Sequence, residues 1–167
     1  ATCSSTSVCS TCQSGYALDN TTCSTCSSLM VGCTTCSSKT VCTACNTGGY
    51  FTLSGSSCVC SPGYSLSGSI CSNCNALVSN CVTCASPTVC LLCSNGYIVN
   101  NTGCSTCASF ISGCSTCSST TLCTACLSNG YILNAGSCIL CSVYLTGCLN
   151  CSSTSVCTVC DAANFFT

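Results

Sequence analysis

Apolar residues in this chain do not form helical stripes. They gather in short β-prone runs followed by turn residues: Gly15-Tyr16-Ala17-Leu18 before Asp19-Asn20, Tyr50-Phe51-Thr52-Leu53 before Ser54-Gly55, Tyr64-Ser65-Leu66, Tyr97-Ile98-Val99, and Tyr131-Ile132-Leu133 before Asn134-Ala135-Gly136. Aromatic and β-branched residues bounded by Asn, Asp, Gly and Ser are the signature of small two-stranded hairpins. Helical periodicity is sustained nowhere over ten residues, so at most one turn of helix is expected, in segments such as Ser27-Ser28-Leu29-Met30.

The spacing of cysteine, rather than amphipathicity, sets the longer pattern. From Cys93 the chain reads Cys-x10-Cys-x2-Cys-x6-Cys-x2-Cys-x5-Cys-x2-Cys through Cys104, Cys107, Cys114, Cys117, Cys123 and Cys126, and this register fits the chain from end to end. Repeats begin at Cys23, Cys71, Cys104 and Cys138, the last three 33 and 34 residues apart, a period that belongs to repeat architectures. The organisation expected is residues 1–22 as the end of a truncated repeat plus a hairpin, 23–70 as a repeat with a duplicated hairpin, 71–103 and 104–137 as single repeats, and 138–167 as a repeat truncated in its hairpin. Ala1-Thr2-Cys3 matches the end of a Cys-x2-Cys, and Asp161 to Phe166 align with Leu127 to Ile132, so an array continuing in both directions is the expectation.

The first repeat is longer for a definite reason. After Cys45 come twelve residues to Cys58, then Val59, then Cys60 and a second ten-residue segment before Cys71. An insertion that adds one Gly-Tyr segment and two cysteines is most simply a self-closed loop, although connectivity does not follow from spacing in general. This pairs Cys12 with Cys23, Cys45 with Cys58, Cys60 with Cys71, Cys93 with Cys104, and Cys126 with Cys138.

Composition changes the picture in three ways. Cysteine fills 29 of 167 positions, far above the level that marks a bridge or metal scaffold, while Trp is absent and Met occurs once, so an oil-drop core is not expected. Lys39 is the only basic residue and Asp19 and Asp161 are the only acidic ones. Nucleic-acid binding, which needs clustered Lys or Arg, is excluded. Ser and Thr together fill 57 positions, so hydroxyls hydrate the surface. The segment contains no apolar run of 18 residues, hence no helical membrane span, and no leader pattern at its start.

Candidate chemistry is sparse. Repeated Cys-x2-Cys is compatible with zinc or a metallothionein-like store, but four thiolates around Zn²⁺ leave about −2 per site, and roughly seven sites would carry about −14 against Lys39 alone. No metal and no other cofactor is expected; disulfides in an oxidising compartment are. A thioredoxin-like site lacks its α/β framework and cation. With no His and two isolated Asp residues there is no acid–base pair, so the chain does not read as an enzyme. The Gly-Tyr rings are read as covers over neighbouring bridges rather than as a ligand-stacking ladder. Sequons stand at Asn20, Asn100 and Asn150; the first two fall near hairpin tips, where an acceptor must be exposed, while Asn150 lies between two cysteines and is the weakest.

The Cys-x2-Cys pairs and the hairpins Cys93-Ser-Asn-Gly-Tyr-Ile-Val and Cys60-Ser-Pro-Gly-Tyr-Ser-Leu resemble those of cysteine-rich protist surface proteins. These are the immobilization antigens of ciliates and the variant surface proteins of Giardia-type parasites. More distantly the chain resembles the furin-like cysteine-rich repeats of growth-factor receptors. The resemblance implies a crossed first-to-third, second-to-fourth pattern for the four other cysteines of each repeat. It joins Cys26 with Cys36, Cys33 with Cys42, Cys74 with Cys84, Cys81 with Cys90, Cys107 with Cys117, Cys114 with Cys123, Cys141 with Cys151, and Cys148 with Cys157. Cys3, Cys9 and Cys160 are left over, and their partners are expected outside the segment.

The resulting fold class is small disulfide-rich tandem repeats, an elongated rod of short β-hairpins and crossed-disulfide knots with almost no helix. The function expected is a structural one, a glycosylated extracellular rod in a cell-surface coat or fibre, partnered by copies of itself or further repeats and by glycans. The alternative is an adhesion or receptor-stalk module with its ligand surface at the duplicated hairpin, and a metal store comes third.

Overall fold

The computed structural model describes residues 2–5, 8–128 and 130–161. It is built of small antiparallel β-hairpins tied by disulfides in tandem, and among the described residues every sheet is two-stranded. Two kinds of hairpin carry the repeat.

The first kind is closed by a single bridge, from a cysteine ahead of its first strand to one in its second strand, a ladder step from the turn. Its strands are Tyr16–Asp19 with Thr22–Thr25, Phe51–Ser54 with Ser57–Cys60, Tyr64–Ser67 with Ile70–Asn73, Tyr97–Asn100 with Gly103–Thr106, and Tyr131–Asn134 with Ser137–Leu140. Each has an unbroken register and a two-residue turn, with Tyr16 opposite Thr25 and Asp19 opposite Thr22 in the first. Asn20, Gly55, Gly68, Asn101 and Ala135 open these turns with positive φ, the backbone that two-residue hairpin loops require.

The second kind follows from the Cys-x2-Cys pairs, and the hydrophobic pattern gives no sign of it. Cys33–Ser38 pairs with Val41–Cys45, Cys114–Ser119 with Leu122–Cys126, and Cys148–Ser153 with Val156–Cys160. In a regular strand residues three apart point to opposite faces. Here the ladder runs Cys33 opposite Cys45, Thr35 opposite Ala44, and Cys36 opposite Cys42, so a bulge on each strand turns three residues into two ladder steps. All four cysteines therefore share one face. The turn is made by serine: the Ser38, Ser119 and Ser153 hydroxyls accept from the N–H two residues on at 3.4, 3.2 and 3.3 Å.

Single helical turns Cys26–Leu29, Cys74–Leu77 and Cys141–Tyr144, and a 3₁₀ turn Cys107–Ser109, link the two kinds. Thr25 and Asn73 cap the first two, accepting from Ser28 N and Asn75 N. No helix among the described residues is long and apolar enough to cross a membrane.

The core is sulfur. Among the described residues the buried apolar side chains are twelve cysteines, Ala17 and Phe51, so bridges take the place of an aliphatic interior. Backbone bonds repeat with the sequence: Cys26, Cys74, Cys107 and Cys141 donate N–H to the carbonyls of Gly15, Gly63, Gly96 and Gly130 at 2.7 to 2.9 Å. Cys42, Cys90 and Cys123 donate to the turn carbonyls of Ser56, Thr102 and Gly136 at 2.7 to 2.8 Å, drawing each closed hairpin back onto the crossed hairpin before it.

By contacts the chain divides into two compact units. One runs to Val78 and takes in Thr83–Val89; the other holds Ser79–Val82 and the chain from Cys90.

Candidate functional site

Thirteen bridges tie the described residues. Five close single hairpins: Cys12–Cys23, Cys45–Cys58, Cys60–Cys71, Cys93–Cys104 and Cys126–Cys138. Eight are crossed: Cys26–Cys36, Cys33–Cys42, Cys74–Cys84, Cys81–Cys90, Cys107–Cys117, Cys114–Cys123, Cys141–Cys151 and Cys148–Cys157. These are the pairs that the hairpin duplication and the resemblance join. Their Cα–Cα distances, 5.5 to 5.9 Å, sit in the ordinary range, so the hairpin geometry alone accommodates the bonds.

One expectation is corrected. Cys9 is disulfide-bonded, not left over, and its backbone stands opposite Cys3 in the hairpin of Thr2–Ser5 and Val8–Thr11. In the later repeats the equivalent residues, Cys36 opposite Cys42, bond Cys26 and Cys33 instead. The Cys3 side chain lies outside the described residues, as do residues 162–167 and the start of the last hairpin that the sequence places there. Cys160 is a free, exposed thiol.

Sulfur also gathers in threes. Cys33, Cys42 and Cys58, then Cys81, Cys90 and Cys104, then Cys114, Cys123 and Cys138 hold their Sγ atoms within 4.8 Å of one another. A tetrahedral metal takes thiolates, and every one of these sulfurs is already committed to a disulfide. The arrangement is chemically that of neighbouring bridges.

The duplicated hairpin is where the surface departs from the repeat. In the other four closed hairpins Gly15, Gly63, Gly96 and Gly130 precede the tyrosine with φ between +76° and +86°. At the equivalent place stands Tyr50, with φ +60°, because the extra turn Thr47–Gly49 shifts the frame by residues the others lack. Tyr50 is thus not the first strand residue that the sequence suggests. Its carbonyl accepts from Ser61 N at 2.8 Å as the glycines' carbonyls accept from cysteine, and Phe51 takes the tyrosine register opposite Cys60. A left-handed conformation costs a non-glycine residue about 1 to 2 kcal/mol.

The displaced ring is half exposed and lies on Tyr64 of the next hairpin, with centroids 4.2 Å apart and planes 13° from parallel. Beside it Val31, Gly32, Asn46, Phe51 and Ile70 line an open groove of about 420 Å³ that none of the three charged residues reaches. Two rings lie on glycine: Phe51 packs against Gly32 and Tyr131 against Gly113, each glycine next to a buried cysteine.

The sequons differ in setting. Asn20 and Asn100 are exposed at the ends of closed hairpins. Asn150 is half-buried in the strand Cys148–Ser153, and its Oδ1 accepts from Gly130 N at 2.7 Å. Lys39 pairs with Asp19 at 3.4 Å in a largely exposed setting, worth about 0 to 1 kcal/mol. Set against models of protein families, curated proteins and solved structures, the chain matches none of them.

Proposed function

We propose that this is a structural protein of the extracellular surface: a glycosylated, bridge-dense rod of a coat or fibre, of the cysteine-rich surface-protein kind that the sequence resembles. The observation that carries the reading is the sulfur core. A chain that replaces aliphatic interior by bridges needs an oxidising compartment to fold, and a chain whose repeats close on themselves extends by adding repeats. A surface of hydroxyls with a single basic residue offers proteases of trypsin specificity one place to cut.

In this reading Asn20 and Asn100 carry N-glycans and Asn150, held by Gly130 N, does not. Intact mass of the secreted protein before and after enzymatic deglycosylation should fall by two glycans, with glycosylation at Asn20 and Asn100 on fragmentation. A glycan on Asn150 and none on Asn20 would reverse the assignment.

The stacked pair of Tyr50 and Tyr64 favours a second reading, an adhesion or stalk module that binds at the duplicated hairpin, because strain at an exposed ring is a mark of function. Deleting residues 60–72 joins Val59 to Asn73 and restores Cys-x2-Cys between Cys58 and Cys74. A structural coat should tolerate the deletion, assembling at wild-type density on the cell surface by electron microscopy and binding cells as before. Tyr50→Gly, which relieves the backbone while removing the ring, should leave both unchanged as well. Adhesion lost in both variants with the coat intact would replace the structural reading by the adhesive one.

A further inference from the structure

The three sulfur clusters have one geometry. In each, the bridge of a closed hairpin touches the inner bridge of the crossed hairpin before it: Cys58 Sγ lies 3.3 Å from Cys42 Sγ, Cys104 Sγ 3.4 Å from Cys90 Sγ, and Cys138 Sγ 3.3 Å from Cys123 Sγ. The backbone bonds from Cys42, Cys90 and Cys123 to the hairpin turns hold them there. Exposure differs across each contact. The closing bridges, with Cys45, Cys58, Cys93, Cys104, Cys126 and Cys138, are half-buried, whereas Cys33, Cys42, Cys81, Cys90, Cys114 and Cys123 are all 1 to 2% exposed. A thiol in solution therefore meets the outer bridge and not the inner one.

We propose that each cluster is a thiol–disulfide exchange relay, in which a small-molecule thiol of the glutathione class opens the outer bridge and the freed sulfur passes the exchange to the inner one. The thiolate attacks Cys45 Sγ, forming a mixed disulfide there; the Cys45–Cys58 bond breaks and its electron pair leaves on Cys58 Sγ. The Cys58 thiolate, already in contact with Cys42 Sγ, attacks it, forming Cys42–Cys58 and breaking Cys33–Cys42. The electron pair leaves on Cys33, which takes a proton from solvent. One thiol and two disulfides enter, and one thiol and two disulfides remain, so no further oxidant or reductant is consumed.

The product has a place for the new proton. Cys33 Sγ lies 3.0 Å from the Thr35 carbonyl and Cys114 Sγ 3.0 Å from that of Thr116, each an acceptor for a thiol S–H. Cys81 and Cys90 with Cys104 and Cys93 repeat the step, as do Cys114 and Cys123 with Cys138 and Cys126. The relay makes Cys33, Cys81 and Cys114 latent modification sites. It also keeps the closed hairpin tied to its neighbour when the surface bridge is struck.

The chain contains its own control. Cys60–Cys71 closes the second of the duplicated hairpins, which follows a closed hairpin and not a crossed one, and among the described residues no third sulfur clusters with it. The folded protein would be treated with glutathione below one equivalent per bridge, trapped in acid with N-ethylmaleimide, digested with pepsin and mapped by fragmentation. The expected result is new Cys42–Cys58, Cys90–Cys104 and Cys123–Cys138 cross-links, with label shifted to Cys33, Cys81 and Cys114, while attack on Cys60–Cys71 leaves its label on Cys60 or Cys71. Label confined to the closing cysteines would overturn the relay. So would cross-links scattered between repeats, which report unfolding, or Cys33 and Cys42 labelled together. Cys45→Ser gives a second route with no added thiol: the label should shift from Cys58 to Cys33, and label retained on Cys58 in the folded variant contradicts the proposal. If that variant does not fold, the glutathione arm on the native chain decides alone.

Discussion

Excess reductant at neutral pH, with no denaturant, unfolds this protein. A bridge closing a loop of nine to thirteen residues' separation contributes roughly 2 to 3 kcal/mol. A repeat has three such bridges, together roughly 6 to 9 kcal/mol, whereas the net stability expected of about 33 residues is about 2 to 5 kcal/mol. The difference cannot come from elsewhere, because Ala17 and Phe51 are the buried apolar residues other than cysteine among those described. Far-ultraviolet circular dichroism should lose the hairpin signal and resistance to a broad protease such as proteinase K should disappear together. A reduced, alkylated chain that keeps both would show that backbone bonds, not bridges, hold the repeats.

Gly113→Ala should be among the most damaging substitutions that leave every bridge in place, as should Gly32→Ala, whose Cβ would meet the Phe51 ring in the same way. Gly113 has φ +74°, and a Cβ there would run into the Tyr131 ring at Cδ1 and Cε1. The backbone cost of about 1 to 2 kcal/mol adds to an overpacking cost of about 1 to 3 kcal/mol, comparable with the stability of a whole repeat. Gly55→Ala, at φ +61° with nothing within 4 Å, carries only the first of these. Guanidinium unfolding of the oxidised proteins, followed by tyrosine fluorescence, compares them directly. Gly113→Asn separates the two causes, since Asn80 holds the same place before Cys81 at φ +63°. Equal midpoints for Gly113→Ala and Gly55→Ala would mean that the Tyr131 ring moves aside at no cost.

The closed hairpins were legible in the sequence because their signal is local: Tyr97-Ile98-Val99 is β-prone, and the Asn100–Thr102 turn follows at once. The crossed hairpins were not, because Cys33 and Cys36 are an odd number of residues apart and a regular strand would divide them between faces. Only the bulges reunite them, and bulges leave no trace in an alternation of side chains. Val41 with the Ser38 hydroxyl turn, repeated at Ser119 with Leu122 and Ser153 with Val156, was the available clue. Tyr50 was misplaced for a related reason. A Tyr-Phe pair looks like a strand start, and nothing in the letters says that three residues of 3₁₀ turn move Tyr50 into the glycine position. At the candidate site, the closing pairs were readable from the duplication and the crossed pairs came only from the resemblance, whereas the contact between one bridge and the next depends on how a turn docks on Cys42, Cys90 or Cys123.

The bulged ladder of the crossed hairpins bears on how such a chain can vary. Every crossed bridge spans nine or ten positions, whereas the closing bridges span eleven, twelve or thirteen. One residue added between Cys33 and Cys36 would rotate a sulfur off the shared face and break its bridge, whereas one added in a closed hairpin only lengthens a loop. The crossed hairpin is thus the fixed gauge of this chain, and its length variation is confined to the closed hairpins, the spans from Cys45 to Cys58 and from Cys126 to Cys138 being the longest.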